Sequence, residues 1–449
     1  MRTDPFLIQL AEQLGEQRQL LVGFSGGLDS TVLLDALWRL RQQQPDIQLR
    51  AVHVHHGLSR FADQWVAHCQ QQCDHWQIPL RVHYVQLDST QAGIEAAARQ
   101  ARYRAFRQTL QVHEALLTAH HLDDQCETLL LALKRGSGPA GLGAMLAQGQ
   151  SGQHRLLRPL LAISRQQLER YAQQHALRWI EDESNQDTRF DRNFLRRDVV
   201  PLLSQRWPHF AQAVARSASL CAEQEQLLDE LLAEPLAELT DHNNAISIEG
   251  LSCCSAAKRA ALLRRWIASS ALPLPSRDGL HQLWQQVALS KPDAEPVLQL
   301  SGYQVRRFQQ RLYLLPPMAD LSQHCLLWHG ETRLLLPDGL GSLQTGEGPC
   351  VLRAPHADEQ VTVRFSAAGR VRVVGRAGSR PIKKLWQELA VAPWLRKRIP
   401  LIYYNQQLIA AVDHFITEAG QPQLGQPSLC LQWCREAPTQ SSPVPVFTG

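Results

Sequence analysis

No stretch of this sequence approaches an unbroken apolar run long enough to span a membrane, so no transmembrane helix is expected. Its ten cysteines include no C-x-x-C pair: Cys69 and Cys73, like Cys430 and Cys434, stand four apart, and Cys253 adjoins Cys254. In a chain of this size that scatter argues against a disulfide framework and for reduced thiols, hence a cytoplasmic protein. Internal repeats and low-complexity tracts are also absent. The opening MRTDPFLIQLAEQL carries an early acid and an amphipathic helical pattern, unlike a signal peptide. What is present is ample core material. With 44% hydrophobic and 20% charged residues the chain is globular, and 449 residues call for two or three domains.

The net charge of +4 conceals an asymmetry. Residues 361–420 hold ten Lys/Arg against three Asp/Glu, which leaves the rest of the chain slightly negative. A basic module on a near-neutral body points to a polyanion, RNA or DNA, rather than to a small acidic substrate.

Residues 21–34, LVGFSGGLDSTVLL, organise the first part of the chain. An apolar run breaks at Ser25, Gly26 and Gly27; Leu28, Asp29 and Ser30 then open a helical pattern. A buried strand, a glycine turn and a helix start aim backbone N–H groups and a helix dipole at one point, which suits a phosphate. No lysine closes the loop, so it is not a Walker A motif, and the three spaced glycines of a dinucleotide fingerprint are missing too. Asp29 would repel a phosphate unless a cation such as Mg²⁺ lay between them. The alternative is an ordinary strand–turn–helix with Ser and Asp as caps.

Strand and helix patterns alternate onward to about residue 161, which predicts an α/β domain with a doubly wound parallel sheet. Ligands of such sheets bind beyond the carboxyl ends of the strands. His55 and His56 follow one strand; His120, His121, Asp123 and Asp124 follow another. Those two acids are either helix-dipole partners or a metal and acid–base site. On the helix at 94–110, Arg99 and Arg102 are open to phosphate or to ion pairing. Residues 136–152 hold six glycines with no strong pattern and follow Lys134 and Arg135, so either a linker or a loop that closes over a substrate or a nucleic-acid strand is expected there. Residues 181–197 run from acidic to basic, and Arg192 or Arg196 is a candidate catalytic arginine.

Beyond Pro201 the texture turns helical, with long helices at 209–232 and 256–269 and a hairpin-like stretch at 305–315. The expected division is 1–214 catalytic, 215–315 helical, 316–360 a connector whose part 316–355 reads as strands or a connector, 361–435 a small basic α+β domain, and 436–449 a disordered tail.

SGGLDS resembles the pyrophosphate loop of the N-type ATP pyrophosphatases. Together with AVHVHHGLS, GIEAAARQARYRAF, TAHHLDDQCETLLLALKRGSG, IEDESNQDTRFDRNFLR and GRAGSRPIKKLWQELAVAPWLRKRIPLIY, it resembles the longer, multi-domain tRNA(Ile)-lysidine synthetases over nearly the whole chain. The resemblance implies a ligase that uses ATP and Mg²⁺ to join free L-lysine to C2 of the wobble cytidine in the CAU anticodon of an isoleucine tRNA. An adenylated cytidine is the intermediate, and pyrophosphate and AMP are released. Membrane association is not expected; a homodimer is a candidate assembly. The implied ATP site is Ser25, Gly26, Gly27, Leu28, Asp29 and Ser30, with Asp29 and Asp124 on the metal. Asp29, His120, Asp123, Asp124 and Arg192 are the candidate catalytic residues. Lys134, Arg135, Arg376, Arg380, Lys383, Lys384, Arg396 and Arg398 are the candidate tRNA contacts. Two rivals are a tRNA 2-thiocytidine enzyme of the same superfamily and a non-catalytic RNA-binding protein. The first calls for cysteine chemistry at the ATP site, where only Cys69, Cys73 and Cys126 occur within the first 200 residues.

Overall fold

The computed structural model describes residues 4–57, 59–86, 94–291, 294–423 and 425–435. The chain divides into two compact units, Met1–Ala233 and Glu234–Val444. The tail expected at 436–449 lies outside the described residues.

In the first unit, α1 (Pro5–Leu14) starts on an Asp4 side-chain cap with proline in its first turn and stops at Gly15, whose φ of 57° no β-carbon favours. There follow β1 (Gln19–Gly23), α2 (Leu28–Gln43), β2 (Gln48–His55), α3 (Ala62–His75), β3 (Leu80–Tyr84), α4 (Ile94–Thr109), β4 (Ala115–Leu117) and α5 (Leu122–Lys134). Next come α6 (Pro139–Leu142), β5 (Gln148–Ser151), β6 (His154–Leu157), α7 (Arg165–Gln174), α8 (Asp191–Phe194), α9 (Val200–Arg206) and α10 (Phe210–Leu239). The sheet order is β3-β2-β1-β4-β6-β5. Every pairing is parallel except β5 with β6.

Period-two burial makes the sheet two-faced. Leu20 and Val22 of β1 join a core with α1, α2, α3 and α7, whereas Leu21 between them packs with Tyr103 and Phe106 of α4. Asp35, buried in α2, accepts hydrogen bonds from Arg39 (2.7 Å) and from the Tyr171 hydroxyl of α7 (2.8 Å), which pins those helices together. The glycine-rich stretch 136–152 is more ordered than its composition suggests. It contains α6 and β5, because β5 can borrow a hydrogen-bonding partner from β6. The strand that closes the alternation, expected to reach about residue 161, is His154–Leu157 and ends at Arg158-Pro159, where proline offers no N–H to the ladder.

The second unit holds β7 (Ile246–Ser247), α11 (Ile248–Ser252), α12 (Ala256–Ser269), α13 (Arg277–Gln282), β8 (Val297–Leu300), β9 (Tyr303–Phe308) and β10 (Arg311–Leu315). The strands form a sheet in the order β7-β10-β9-β8, so this part is not purely helical. The β9–β10 hairpin turns on Gln309 and Gln310, both at positive φ, as a two-residue hairpin loop requires. After these come β11 (Cys325–Trp328), β12 (Arg333–Leu335), β13 (Ser342–Arg353), β14 (Val361–Arg364), β15 (Arg370–Arg372) and β16 (Ser379–Pro381). The unit closes with α14 (Ile382–Glu388), α15 (Pro393–Arg396), β17 (Leu401–Tyr404), β18 (Gln407–Ala411), β19 (Phe415–Ile416) and β20 (Ser428–Cys434).

Of the two readings of residues 316–355, strands or a connector, the structure holds the strands. Their β11 pairs with β14, and β13 pairs with both β12 and β20, so they build the same core as the basic segment. The alternation within these strands is short and interrupted by Gly and Pro, and their partners lie far along the chain. Pairing with those distant partners is what makes them strands.

Candidate active site

The loop after β1 is shaped by its own hydroxyls. Ser25 N–H donates to Ser30 Oγ (3.2 Å), Gly27 N–H to Ser25 Oγ (3.3 Å), and Ser30 Oγ–H to Gly27 O (3.1 Å). Gly26 is obligatory: its φ is +83°, and a β-carbon there would lie 2.8 Å from Cys69 Sγ and 2.9 Å from Ile180 Cδ1. Ile180 N–H bonds Gly26 O at 2.8 Å, so the strand-like segment before 181–197 braces the loop. Gly27 caps α2 without a side chain, and the first intrahelical bond is Thr31 N–H to Gly27 O. The amides of Leu28, Asp29 and Ser30 are therefore the anion-facing donors. Leu28 serves by its amide alone, because its side chain is buried in the core.

Beside this loop, at the end of β4, His121 sits fully buried among three acids. Its Nε2 is 3.6 Å from Asp29 and 3.5 Å from Asp124, and its Nδ1 is 3.4 Å from Asp123. Burial pulls the imidazole pKa down, but the carboxylates of Asp124, Asp123 and Asp29 outweigh it and the net shift is upward. Asp29 moves up as well. Burial dominates and the Asp124 charge adds to it, against His121, Arg165 and Arg196. Burial also opposes ionisation of Asp124, but His121, His120, Arg192 and Arg196 together hold its carboxyl below the usual range. His120 is pushed down to about 3, chiefly by burial, and is neutral; its Nδ1 lies 2.9 Å from Thr118 Oγ1.

Both acids serve helix N-termini. Asp124 Oδ2 accepts His121 N–H in the capping box of α5, while its Oδ1 accepts Arg196 Nη2–H at 2.8 Å. Asp123 Oδ2 accepts the Arg165 N–H (2.8 Å), so Asp123 adds to the Ser164 cap of α7. Glu127, missed from sequence, is buried and gripped by two arginines. Arg192 Nε donates to it at 2.8 Å and Arg196 Nε at 2.7 Å. The second lies in a π-helical turn, residues 195–199, that follows α8. The signal for Glu127 was an acid on the apolar face of α5, three residues after Asp124. Arg165, 3.6 Å from Asp29, had no such signal.

Asp29 Oδ1 is buried with no hydrogen-bond partner. No group of three or more His, Cys, Asp or Glu among the described residues is arranged to hold a metal by protein donors alone. Asp29 and Asp124 supply hard oxygens of the kind Mg²⁺ takes when phosphates complete its shell. Cysteine chemistry is ill served: Cys69, Cys73 and Cys126 are buried, and burial pushes all three thiols up, Cys73 and Cys126 to about 12.

The candidate tRNA cations divide. Lys134 is exposed and paired with Asp191 (2.5 Å), and Arg135 is exposed. In the second unit Arg376 and Arg380 share Glu388 at 2.8 and 2.5 Å. Arg398, 12% exposed, holds Asp338 at 2.6 Å, and Arg396 donates to Val391 O at 3.0 Å. These last two are structural ties, whereas Lys383 and Lys384 are exposed with no hydrogen bond or ion pair among the described residues.

Three family models match the chain: the PP-loop domain over residues 4–203, the TilS substrate binding domain over 246–313, and the TilS substrate C-terminal domain over 361–433. The chain is 66% identical to the tRNA(Ile)-lysidine synthase of Serratia proteamaculans, over 96% of this chain and 99% of that one. It is 56% identical to that of Edwardsiella ictaluri, over 95% and 98%. The chain belongs to the tRNA(Ile)-lysidine synthase family. Among solved structures, a U34-tRNA thiolase from Methanococcus maripaludis aligns at 17% identity over 49% of this chain and 78% of that one, with a TM-score of 0.42, too slight a likeness to argue from. The loop at 25–30 lies within the stretch that the PP-loop domain model matches. Among the described residues no helix is long and apolar enough to cross a membrane.

Proposed function

We propose that this protein ligates free L-lysine to C2 of the wobble cytidine of an isoleucine tRNA, using ATP, in the cytoplasm. The C2 carbonyl oxygen attacks the α-phosphorus of ATP and pyrophosphate leaves. The lysine ε-amine then attacks C2, gives up a proton, and AMP departs with the former carbonyl oxygen. The observation that carries this reading is the uncapped start of α2 facing the Asp29–His121–Asp124 cluster, in a chain that matches lysidine synthases end to end.

In this reading the amides of Leu28, Asp29 and Ser30 receive the pyrophosphate. Asp29 and Asp124 hold Mg²⁺, which supplies charge neutralisation to the phosphates when bound. Arg192 and Arg196, held in place by Glu127, face the negative charge that develops on the α-phosphate. Neutral His120 can accept a hydrogen bond from the incoming ammonium without repelling it. Lys383 and Lys384 touch the tRNA body away from the anticodon. The test is AMP release measured with lysine and tRNA each omitted, with mass spectrometry of the wobble nucleoside. AMP formation independent of lysine, with an unmodified nucleoside, overturns the reading.

A further inference from the structure

Arg158 stands apart from the charge pairing around it. Arg39, Arg50 and the pair Arg192 and Arg196 each sit on a buried acid, respectively Asp35, Glu114 and Glu127. Arg158 is only 8% exposed, yet no carboxylate among the described residues pairs with it. Its Nη1 donates to Leu146 O (2.6 Å), its Nε has no hydrogen-bond partner, and the buried Tyr103 hydroxyl lies close enough to act on its charge. Arg99 lies over the Tyr103 ring, 5.4 Å from the centroid, and adds a second guanidinium to the group.

The placement is as telling as the chemistry. Arg158 follows β6 directly, and β6 pairs with β4 through Leu117↔Leu157, with Thr118 N–H bonded to Leu157 O. It thus lies level with Thr118, whose hydroxyl is 2.9 Å from His120 Nδ1, at the ligand-binding end of the sheet. Arg158 and Arg99 are both close enough to disfavour the charged form of His120. A guanidinium withdrawn from water without a counter-ion is strongly unfavourable, and such a residue persists where its anion arrives with a substrate. PP-loop amides already serve the phosphates of ATP. The remaining anionic group of the proposed reaction small enough for so buried a site is the carboxylate of the amino acid.

We propose that Arg158, with Tyr103 and Arg99, binds the α-carboxylate of the free amino acid and so selects an α-amino acid over a simple amine. This rests on the lysine-ligating reading above. The guanidinium fork matches a carboxylate in a way that an ammonium cannot.

The test compares L-lysine with cadaverine, which keeps the amines and lacks the carboxylate, in the full-length enzyme with tRNA and ATP. Wild type should prefer L-lysine by on the order of 10²-fold in kcat/KM. Arg158→Gln should raise the KM for L-lysine at least about tenfold, leave cadaverine use unchanged, and leave ATP binding, measured by titration without lysine, unchanged. Arg158→Lys should restore part of the lysine preference, and it carries the test if the Gln variant fails to bind ATP. Equal use of cadaverine by wild type, or undiminished lysine preference in both variants, overturns the proposal. A raised KM for tRNA with an unchanged KM for lysine assigns Arg158 to an RNA phosphate and overturns it too. If wild type attaches no lysine at all, the ligase reading itself falls, a distinct result.

Discussion

Two glutamates in this chain are each held by a pair of arginines four residues apart. Glu127 takes Arg192 and Arg196; Glu388 takes Arg376 and Arg380. The side chain of Glu127 is 1% exposed and that of Glu388 is 27%. The same three charges therefore do different work. Around Glu127 water cannot replace a lost partner, so the triad fixes two guanidiniums beside Asp124 whether or not substrate is present. At Glu388 water can step in, and the triad mainly ties the β15–β16 hairpin to the end of α14. A cation's worth to this protein is set by the dielectric around its partner rather than by the pairing itself.

The sharpest way to break that comparison is Glu127→Ala. It strands two guanidiniums and should destabilise the protein by about 3–5 kcal/mol, read as a fall in the chemical-denaturation midpoint. A loss under about 1 kcal/mol would mean the first triad is no more buried in effect than the second. Next in size is Asp29→Ala, which should lower AMP formation by on the order of 10²-fold or more without lowering the melting temperature. Asp29 has a raised pKa, so its proton binds more tightly in the folded state. Its charge therefore weakens the fold once pH rises above the unfolded value of 3.8, and removing it relieves that strain. A variant that keeps more than a tenth of wild-type turnover would remove Asp29 from the chemistry.

Lys383→Ala/Lys384→Ala tests the exposed cations. It should weaken tRNA binding and flatten its salt dependence by roughly one to two units of slope, with ATP binding untouched. An unchanged slope would leave those lysines as a solvated face. Smaller still is Glu388→Ala, expected at about 0–1 kcal/mol by the same denaturation assay used for Glu127. The finest effect is on pH. Glu359 is held down to about 2, first by its hydrogen bonds from Arg353, so its contribution is fully present above its ordinary 4.5 and disappears as pH falls through about 2. Acid unfolding of Glu359→Gln should accordingly diverge from wild type above that window and converge with it below.

Much of the first unit was legible because its signals are local. The Ser25–Ser30 loop, the apolar β1 and the acids after β4 declare themselves through turn chemistry and periodicity, and the parallel sheet follows from their alternation. The second unit resisted the same reading: β11, β12 and β13 lie within a Gly- and Pro-rich stretch, and they are strands because β14 and β20 pair with them. The site was legible to the same degree. Asp29 and Asp124 could be named from their motifs, but Asp123 as an added cap of α7 could not.

By itself, then, the sequence determined the glycine turn after β1, the helices and the basic segment at 361–420. Each depends on residues within a few positions of one another. The tertiary structure alone decided which charges meet. Arg192 reaches Glu127 across 65 positions, and Tyr171 reaches Asp35 across 136. It also decided that Arg396 and Arg398 are tied down while Lys383 and Lys384 are not, and that Arg158 is buried without an acid. The reason is physical: the energy of a charge depends on its distance from other charges and on the water it has lost, and chain spacing specifies neither.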